Sequence, residues 1–377
     1  MRADRESCEL LLAIARSTDG EQIHRLAAKV GDWDSLVQIA DEHRILPMLF
    51  LRLADIGAAV PLLVREHVRI EYERNMFNSL ANAVELITVL KAFEDKLIPA
   101  MPFKGVVLGA SIYHDLTTRP AGDLDLLIRY EDRARATTIL LERGYEPTTA
   151  SPTDITPAVY DYYEYHFERA TDGMVVELRW RLTQPRFRFN LGMDWVWPRR
   201  RTTVLGGAKV PDMSPEINLI VLCTHGSKHA WSRLIWICDV AQLLASSPDL
   251  DWKEVTSEVK KAGLGRALAL GILLAHRVAG ATVPQTILRR FEADTTVRLL
   301  AKHIQENLFD APGSTPPGPI PYSIQLLDFR DRVGLLLSTD LLELSERDLA
   351  AFPLPKSLHA LYYLIRPLRI LCDRSAR

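Results

Sequence analysis

A chain of 377 residues, 47% hydrophobic and 25% charged, has the composition of a folded globular protein and the length for more than one compact core. Its formal net charge of −2 excludes a bulk electrostatic pull on nucleic acid or on an anionic membrane and leaves room only for a local basic groove. The four cysteines, Cys8, Cys223, Cys238 and Cys372, form no C-x-x-C pair and no zinc spacing, so reduced thiols and a cytoplasmic home are expected.

The opening "MRADRESCEL" is charged and lacks an apolar centre, so no signal peptide is expected. Residues 5–58 read as short helices, with an Asp cap opening "DWDSLVQIADEHRILPMLFLRL". The stretch 61–96 reads as one long helix, apolar along one stripe and rich in Glu, Arg and Asn elsewhere. At 98–103, "IPAMPF" is a short strand running into a Lys104-Gly105 turn, and "VVLGASIYHDL" returns to a helical period. "DLDLLIRY" alternates as a strand, and "EDRARATTILLERG" is a helix closed by Gly144. "YYEYHFERA" and "MVVELRWRL", separated by Thr171-Asp172-Gly173, predict a hairpin. "TTVLGGAKVPDM" predicts a smaller one turning at Gly206-Gly207. From Ser214-Pro215 the chain is helical up to the Pro-rich loop 311–322, and helices resume beyond it. The apolar "LHALYYLIRPLRIL", broken by Arg366, Pro367 and Arg369, reads as a packed terminal helix pair, with contact at a membrane surface as its alternative. No run reaches the roughly 18 uncharged apolar residues that a membrane span needs.

The order helical, mixed, helical predicts an α+β fold: a small mixed sheet at 98–212, a helical region at 1–97 before it and a helical domain at 213–377 after it. The middle segment carries the chemistry. Asp123 and Asp125 lie on one face of a strand, where two carboxylates repel unless a cation compensates. Mg²⁺ is the expected cation, a hard ion with oxygen ligands that it shares with substrate phosphates, and Mn²⁺ can replace it. Phosphoryl-type transfer calls for a third carboxylate. Glu177, set among Val175, Val176, Leu178 and Trp180, is the candidate, because an acid in an apolar strand is costly without a partner. The plainer alternative is a solvated strand edge, with Glu177 paired to Arg179 or Arg181. Upstream, Lys104-Gly105 sits at a strand-to-helix junction suited to phosphate, and Arg119 is placed to face the same pocket.

A second constellation lies in "CTHGSKHAWSRLIWICDVAQLL". On one continuous helix, His225, Lys228, His229, Ser232, Trp236 and Asp239 fall within an arc of roughly 100°; an early break at Gly226 would take His225 out of it. One reading makes them a second wall of the site: Lys228 with His225 or His229 on phosphates, Trp236 against a base or substrate, and Asp239 orienting a histidine or the lysine. A zinc site from His225, His229 and Asp239 is another. The third is structural, with these groups tying the helix to its neighbours through buried hydrogen bonds. "GLGRALALG" lacks a dinucleotide frame, Ser227 lies in no G-x-S-x-G frame, and the basic "PRRRTT" reads as a solvated turn.

The stretch "FKGVVLGASIYHDLTTRPAGDLDLLI" resembles the core of the DNA polymerase β-like nucleotidyltransferase superfamily. More narrowly, residues 98–245 are similar to a bacterial group called the uncharacterised nucleotidyltransferase family, with its Lys-Gly turn, Arg, Asp-x-Asp, later strand acid in "VELRW" and downstream His/Lys/Trp/Asp helix. The superfamily's usual turn is Gly-Ser, and Lys104-Gly105 departs from it as the narrower group does. The resemblance implies Asp123 and Asp125 as Mg²⁺ ligands and Glu177 as the third carboxylate, a ligand or general base. It implies an NTP, ATP first, as donor of a nucleoside monophosphate, with loss of pyrophosphate. The acceptor class stays open; the net charge favours a small molecule or peptide over RNA. The alternative function is a catalytically inactive nucleotide-binding or protein-interaction module on the same fold.

Overall fold

The computed structural model describes residues 4–17, 19–56, 60–148, 163–182, 191–310 and 322–327. The expected terminal helix pair, most of the Pro-rich loop and Cys372 lie outside the described residues.

Four short helices open the chain: α1 (Arg5–Ala15), α2 (Gly20–Ala27), α3 (Trp33–Glu42) and α4 (Leu46–Ile56). The expected cap is present, with Asp32 accepting the Ser35 N–H at 2.9 Å. The long helix α5 (Leu62–Asp95) follows. It is apolar on two sides, which the sequence reading missed. Val68, Leu86, Val89 and Phe93 are buried, while Leu63, Ile70, Phe77 and Val84 are exposed at heptad spacing.

The mixed segment comprises β1 (Ala100–Pro102), α6 (Gly105–Leu108), β2 (Asp123–Ile128), α7 (Arg133–Glu142), β3 (Glu146–Pro147), β4 (Glu164–Arg169) and β5 (Met174–Arg179). Instead of one regular helix over 106–116, α6 passes into a π-helical turn at Gly109–Tyr113. The sheet runs β1-β2-β5-β4-β3. Only β2 and β5 are parallel; the other neighbours are antiparallel. Asp172-Gly173 turns the β4–β5 hairpin, with Gly173 at φ 70°. After α8 (Met193–Val196), β6 (Arg200–Leu205) and β7 (Ala208–Met213) form the second hairpin, turning at Gly206-Gly207. The fold is α+β, as its sequence pattern predicts.

Strand alternation divides two cores. Leu124, Leu126, Ile128, Val176, Leu178, Tyr165 and Phe167 pack with Leu86, Val89 and Phe93 of α5 and Ile139 and Leu140 of α7. Met101, Phe103 and Leu127 join the larger core of the helices that follow: α9 (Pro215–Lys228), α10 (Leu234–Ser246), α11 (Trp252–Lys261), α12 (Gly265–Ala279), α13 (Gln285–Glu292), α14 (Thr295–Glu306) and α15 (Tyr322–Gln325). No helix among the described residues is long and apolar enough to cross a membrane.

The continuous helix expected over 223–244 is two helices. Ala230 and Trp231 lie at positive φ, 50° and 55°. Trp231 is fully buried and fills the space between two glycines. A Cβ at Gly226 would come within 2.5 Å of the Trp231 ring, and one at Gly271 within 2.5 Å of Cys223 Sγ and 3.0 Å of that ring. Burial of the indole therefore outweighs helical propensity in the connection. Gly226→Ala is expected to cost about 1–3 kcal/mol by overpacking, read from the urea midpoint. An unchanged midpoint would mean that Trp231 moves freely.

A residue from the opening helices caps α10. His43 Nδ1 accepts the Leu234 N–H at 3.1 Å, and the His43 carbonyl accepts the Ile235 N–H at 3.2 Å. Burial pushes the His43 imidazole down from 6.5 to about 4. Its folded value is depressed, so its contribution to stability is present above 6.5 and is lost as pH falls toward 4. His43→Asn offers a carbonyl in place of Nδ1 and cannot titrate. The acid loss of stability between these limits should shrink by about 3 kcal/mol relative to wild type, measured by denaturant titration at both pH values. Parallel pH profiles would refute the linkage.

Candidate active site

The site forms on the sheet face turned away from α5. Pairing of β2 with β5 sets Asp125 opposite Glu177. Asp123 and Asp125 share a face by strand alternation, and ligand atoms of Asp123, Asp125 and Glu177 all lie within 4.8 Å of one another. This is the one group of three or more acidic, histidine or cysteine side chains among the described residues close enough together to hold a metal ion. His225, His229 and Asp239 make no second one.

The triad is balanced by two cations. Lys104 Nζ lies 3.0 Å from Asp125 Oδ2. Arg179 Nη2 contacts Glu177 and lies 3.4 Å from Asp125 Oδ1, while Arg179 Nε lies 2.8 Å from Glu164 Oε2. Burial works against ionisation of Asp125, but Lys104 and Arg179 outweigh it and hold its carboxyl below the ordinary value. Asp123 goes the other way: burial and then the Asp125 charge raise it. Glu177 is raised by burial and Asp125 despite its contact with Arg179.

The three acids fit a divalent cation. Their donors are hard oxygens, and they converge in a buried site, where the 3.4 Å ion-pair contact of Asp125 Oδ1 with Arg179 is long and leaves that oxygen able to take a further ligand.

The Lys104-Gly105 turn closes one side. Lys104 has φ 57° and ψ −148°, and Gly105 has φ 48°. A Cβ on Gly105 would stand 3.3 Å from the Asp123 carbonyl oxygen, so the turn lies directly against β2. Arg119 braces it. Its guanidinium is buried and reaches the carbonyls of Gly105 and Pro120 at 3.5 and 3.3 Å. It donates to both oxygens of Asp239, Nε at 2.9 and 3.1 Å and Nη2 at 3.0 Å. Tyr113 Oη, on the π-helical turn, donates to Asp239 Oδ1 at 2.9 Å. Asp239 therefore orients Arg119, not a histidine or Lys228 as the sequence suggested. The reason is the break after α9, which removes Asp239 from the helix that carries His225 and Lys228.

The remaining members of the stripe still meet. The His225, His229 and Trp236 rings lie 4.8–5.3 Å apart, centroid to centroid. Burial lowers both imidazoles, His229 to about 4, and the Lys104 and Arg179 charges push in the same direction. Lys228 Nζ donates to Tyr163 Oη at 3.4 Å. Burial lowers Lys228, and Glu164 and Glu177 partly restore it.

Arg179 pairs with Glu177, as the plainer sequence alternative had it; sequence reasoning missed Glu164, His166 and the reach of Arg179 to Asp125 and Glu164. His166 bridges Glu164 and Glu177 at 3.3 and 3.5 Å, and the hydrogen bond to Glu164 raises it against the effect of burial. The signal was in "EYHFER": Glu164 and His166 alternate with the buried Tyr165 and Phe167. A hairpin in register then sets His166 beside Glu177 and Glu164 beside Arg179.

Two solved structures overlap the chain weakly. The crystal structure of ANT(2″)-Ia in complex with adenylyl-2″-tobramycin is 13% identical, over 48% of this chain and 96% of that one, with a TM-score of 0.35. The solution structure of the antibiotic-resistance factor ANT(2″)-Ia is 13% identical, over 59% and 96%, with a TM-score of 0.30. Overlap this slight fixes no residue correspondence. No curated protein matches the sequence. The model of the uncharacterised nucleotidyltransferase family matches residues 29–280, more than half of the chain, spanning the acid-bearing strands, the Lys-Gly turn and the helices that close over them. The chain belongs to the uncharacterised nucleotidyltransferase family.

Proposed function

We propose that the protein transfers a nucleoside monophosphate, AMP first among the candidates, from an NTP to a hydroxyl, amine or phosphate of a small-molecule or peptide acceptor. The observation that carries this reading is the convergence of Asp123, Asp125 and Glu177 within 4.8 Å. Membership of a nucleotidyltransferase family supports the reaction class. In the reaction, an acceptor oxygen or nitrogen forms a bond to the α-phosphorus. The bond from that phosphorus to the α–β bridging oxygen breaks, pyrophosphate departs with the electron pair, and the acceptor's proton passes to a base.

Asp123, Asp125 and Glu177 would hold Mg²⁺ or Mn²⁺, in a two-ion arrangement. When bound, the metal supplies neutralisation of phosphate charge and a more acidic acceptor hydroxyl. The chain's own groups do the rest by positioning and charge. Lys104 and Lys228 are the cations for the triphosphate, with Gly105 allowing close approach. Trp236, His225 and His229 form the aromatic surface for the base or acceptor. Arg119 and Asp239 act through the turn they brace. His166 and Glu164 orient Glu177 and Arg179. The net charge of −2 favours a small or peptidic acceptor over RNA, and strongly salt-dependent RNA binding would reverse that choice.

The test is calorimetric titration of the four NTPs into the protein, with and without Mg²⁺. Mg²⁺-dependent binding of one NTP is expected and would identify the donor. No NTP binding by folded protein, alone or with acceptors present, would favour the alternative of an inactive interaction module.

A further inference from the structure

Lys104 is held in an expensive conformation. Its backbone, at φ 57° and ψ −148°, lies in a region close to glycine-only, and strain of that kind persists where the surrounding structure insists on it. The result is to aim an almost fully buried ammonium at the centre of the acidic site, 3.0 Å from Asp125 Oδ2, with the two side chains 10% and 2% exposed. Phe103, whose ring lies 5.3 Å from Nζ, lines the approach.

The ammonium and a divalent ion are alternatives at this carboxylate. A metal ligated by Asp125 sits at about 2.1 Å from the carboxylate, close enough to Lys104 Nζ for the like charges to repel strongly in a buried site. Arg179 is placed differently. Its guanidinium is also held by Glu164 and Glu177, so it stays when Asp125 changes partner. Lys104 has no second carboxylate holding it among the described ion pairs, and its four-carbon stem lets the charge swing while the backbone stays fixed.

We propose that Lys104 is a built-in competitor of the catalytic metal, occupying Asp125 until a metal-bound nucleoside triphosphate arrives and then moving from the carboxylate to the phosphates. The proposal rests on the acidic metal centre of the preceding reading and adds a binding order to it. A metal arriving alone must displace this charge from the one carboxylate that pairs with it among the described ion pairs. A triphosphate offers that charge a new anion, so metal and nucleotide each tighten the other, by the same factor in both directions.

The experiment measures Mn²⁺ binding by electron paramagnetic resonance of the free ion, with and without α,β-methylene-ATP. The proteins are wild type, Lys104→Met, Lys104→Gly, Lys104→Arg and Asp125→Asn. Lys104→Met and Lys104→Gly should bind Mn²⁺ alone about ten-fold or more tightly than wild type, and the tightening that the analogue gives wild type should largely disappear. Lys104→Arg should stay close to wild type. Glycine accepts φ 57° without strain, so Lys104→Gly keeps the test alive where the methionine variant misfolds. Equal or weaker Mn²⁺ binding in the Met and Gly variants, with binding lost in Asp125→Asn, overturns the competitor and leaves the metal centre standing. Binding that survives in Asp125→Asn, or is absent from every variant, overturns the metal centre and the competitor with it.

Discussion

Asp123→Asn is expected to reduce nucleotidyl transfer by at least about 10²–10³-fold while leaving the fold as stable as wild type or more so. Loss of activity would follow from removing one of the three converging acids proposed to hold the metal. The stability result follows from the electrostatics. Burial and the neighbouring Asp125 raise the Asp123 carboxyl, so its charged form costs stability at neutral pH, and a neutral isostere removes that cost. Asp125→Asn should behave differently. Its carboxyl is held low by Lys104 and Arg179 against burial, so its contribution is present above the unfolded value of 3.8 and is lost as pH falls through the folded one. Neutralising it leaves two buried cations short of a partner, at a cost of about 3 kcal/mol. Thermal denaturation of both variants at pH 7 without added divalent metal separates these cases. Equal destabilisation by the two substitutions would refute the asymmetry.

Asp239→Asn is expected to be the most damaging single change outside the triad. Asp239 is fully buried and carries the whole bidentate partnership of a guanidinium that is itself 9% exposed. Removing its charge strands Arg119 in the interior at a cost of about 3–5 kcal/mol. It also loosens the brace on the Gly105 carbonyl, so nucleotide affinity should fall with stability. The double variant Arg119→Met/Asp239→Leu removes both charges and should recover much of the stability without recovering nucleotide binding. Urea denaturation of Arg119→Met, Asp239→Leu and their double closes the cycle and gives the coupling directly. Strictly additive losses would mean that the pair is not a unit.

The strands, their hairpins and the paired aspartates were legible because they depend on local rules. Alternation puts Asp123 and Asp125 on one face, Asp172-Gly173 closes a hairpin, and an acid at Glu177 in an apolar strand announces a partner. The errors fell where tertiary packing overrides those rules. A helical period running through residues 223–244 gave no sign that Trp231 would be buried between Gly226 and Gly271, because those glycines come from different helices. The outward stripe on α5 was invisible for a related reason: periodicity reports which residues share a face, not which face is covered.

By itself, the sequence determined the fold class, the strand that carries the two aspartates and the chemistry that three carboxylates suit. Period, turn residues and charge repulsion between near neighbours are short-range properties, written in residue types and spacing. Only the tertiary structure decided that β5 lies parallel to β2 with Glu177 opposite Asp125. It also decided that Arg179 and Lys104 neutralise the triad, that Asp239 belongs to Arg119, and that His43 caps a helix beginning at Leu234. Each of these is a contact between segments far apart in the chain, chosen because a buried charge or polar group must find its partner wherever the fold brings one.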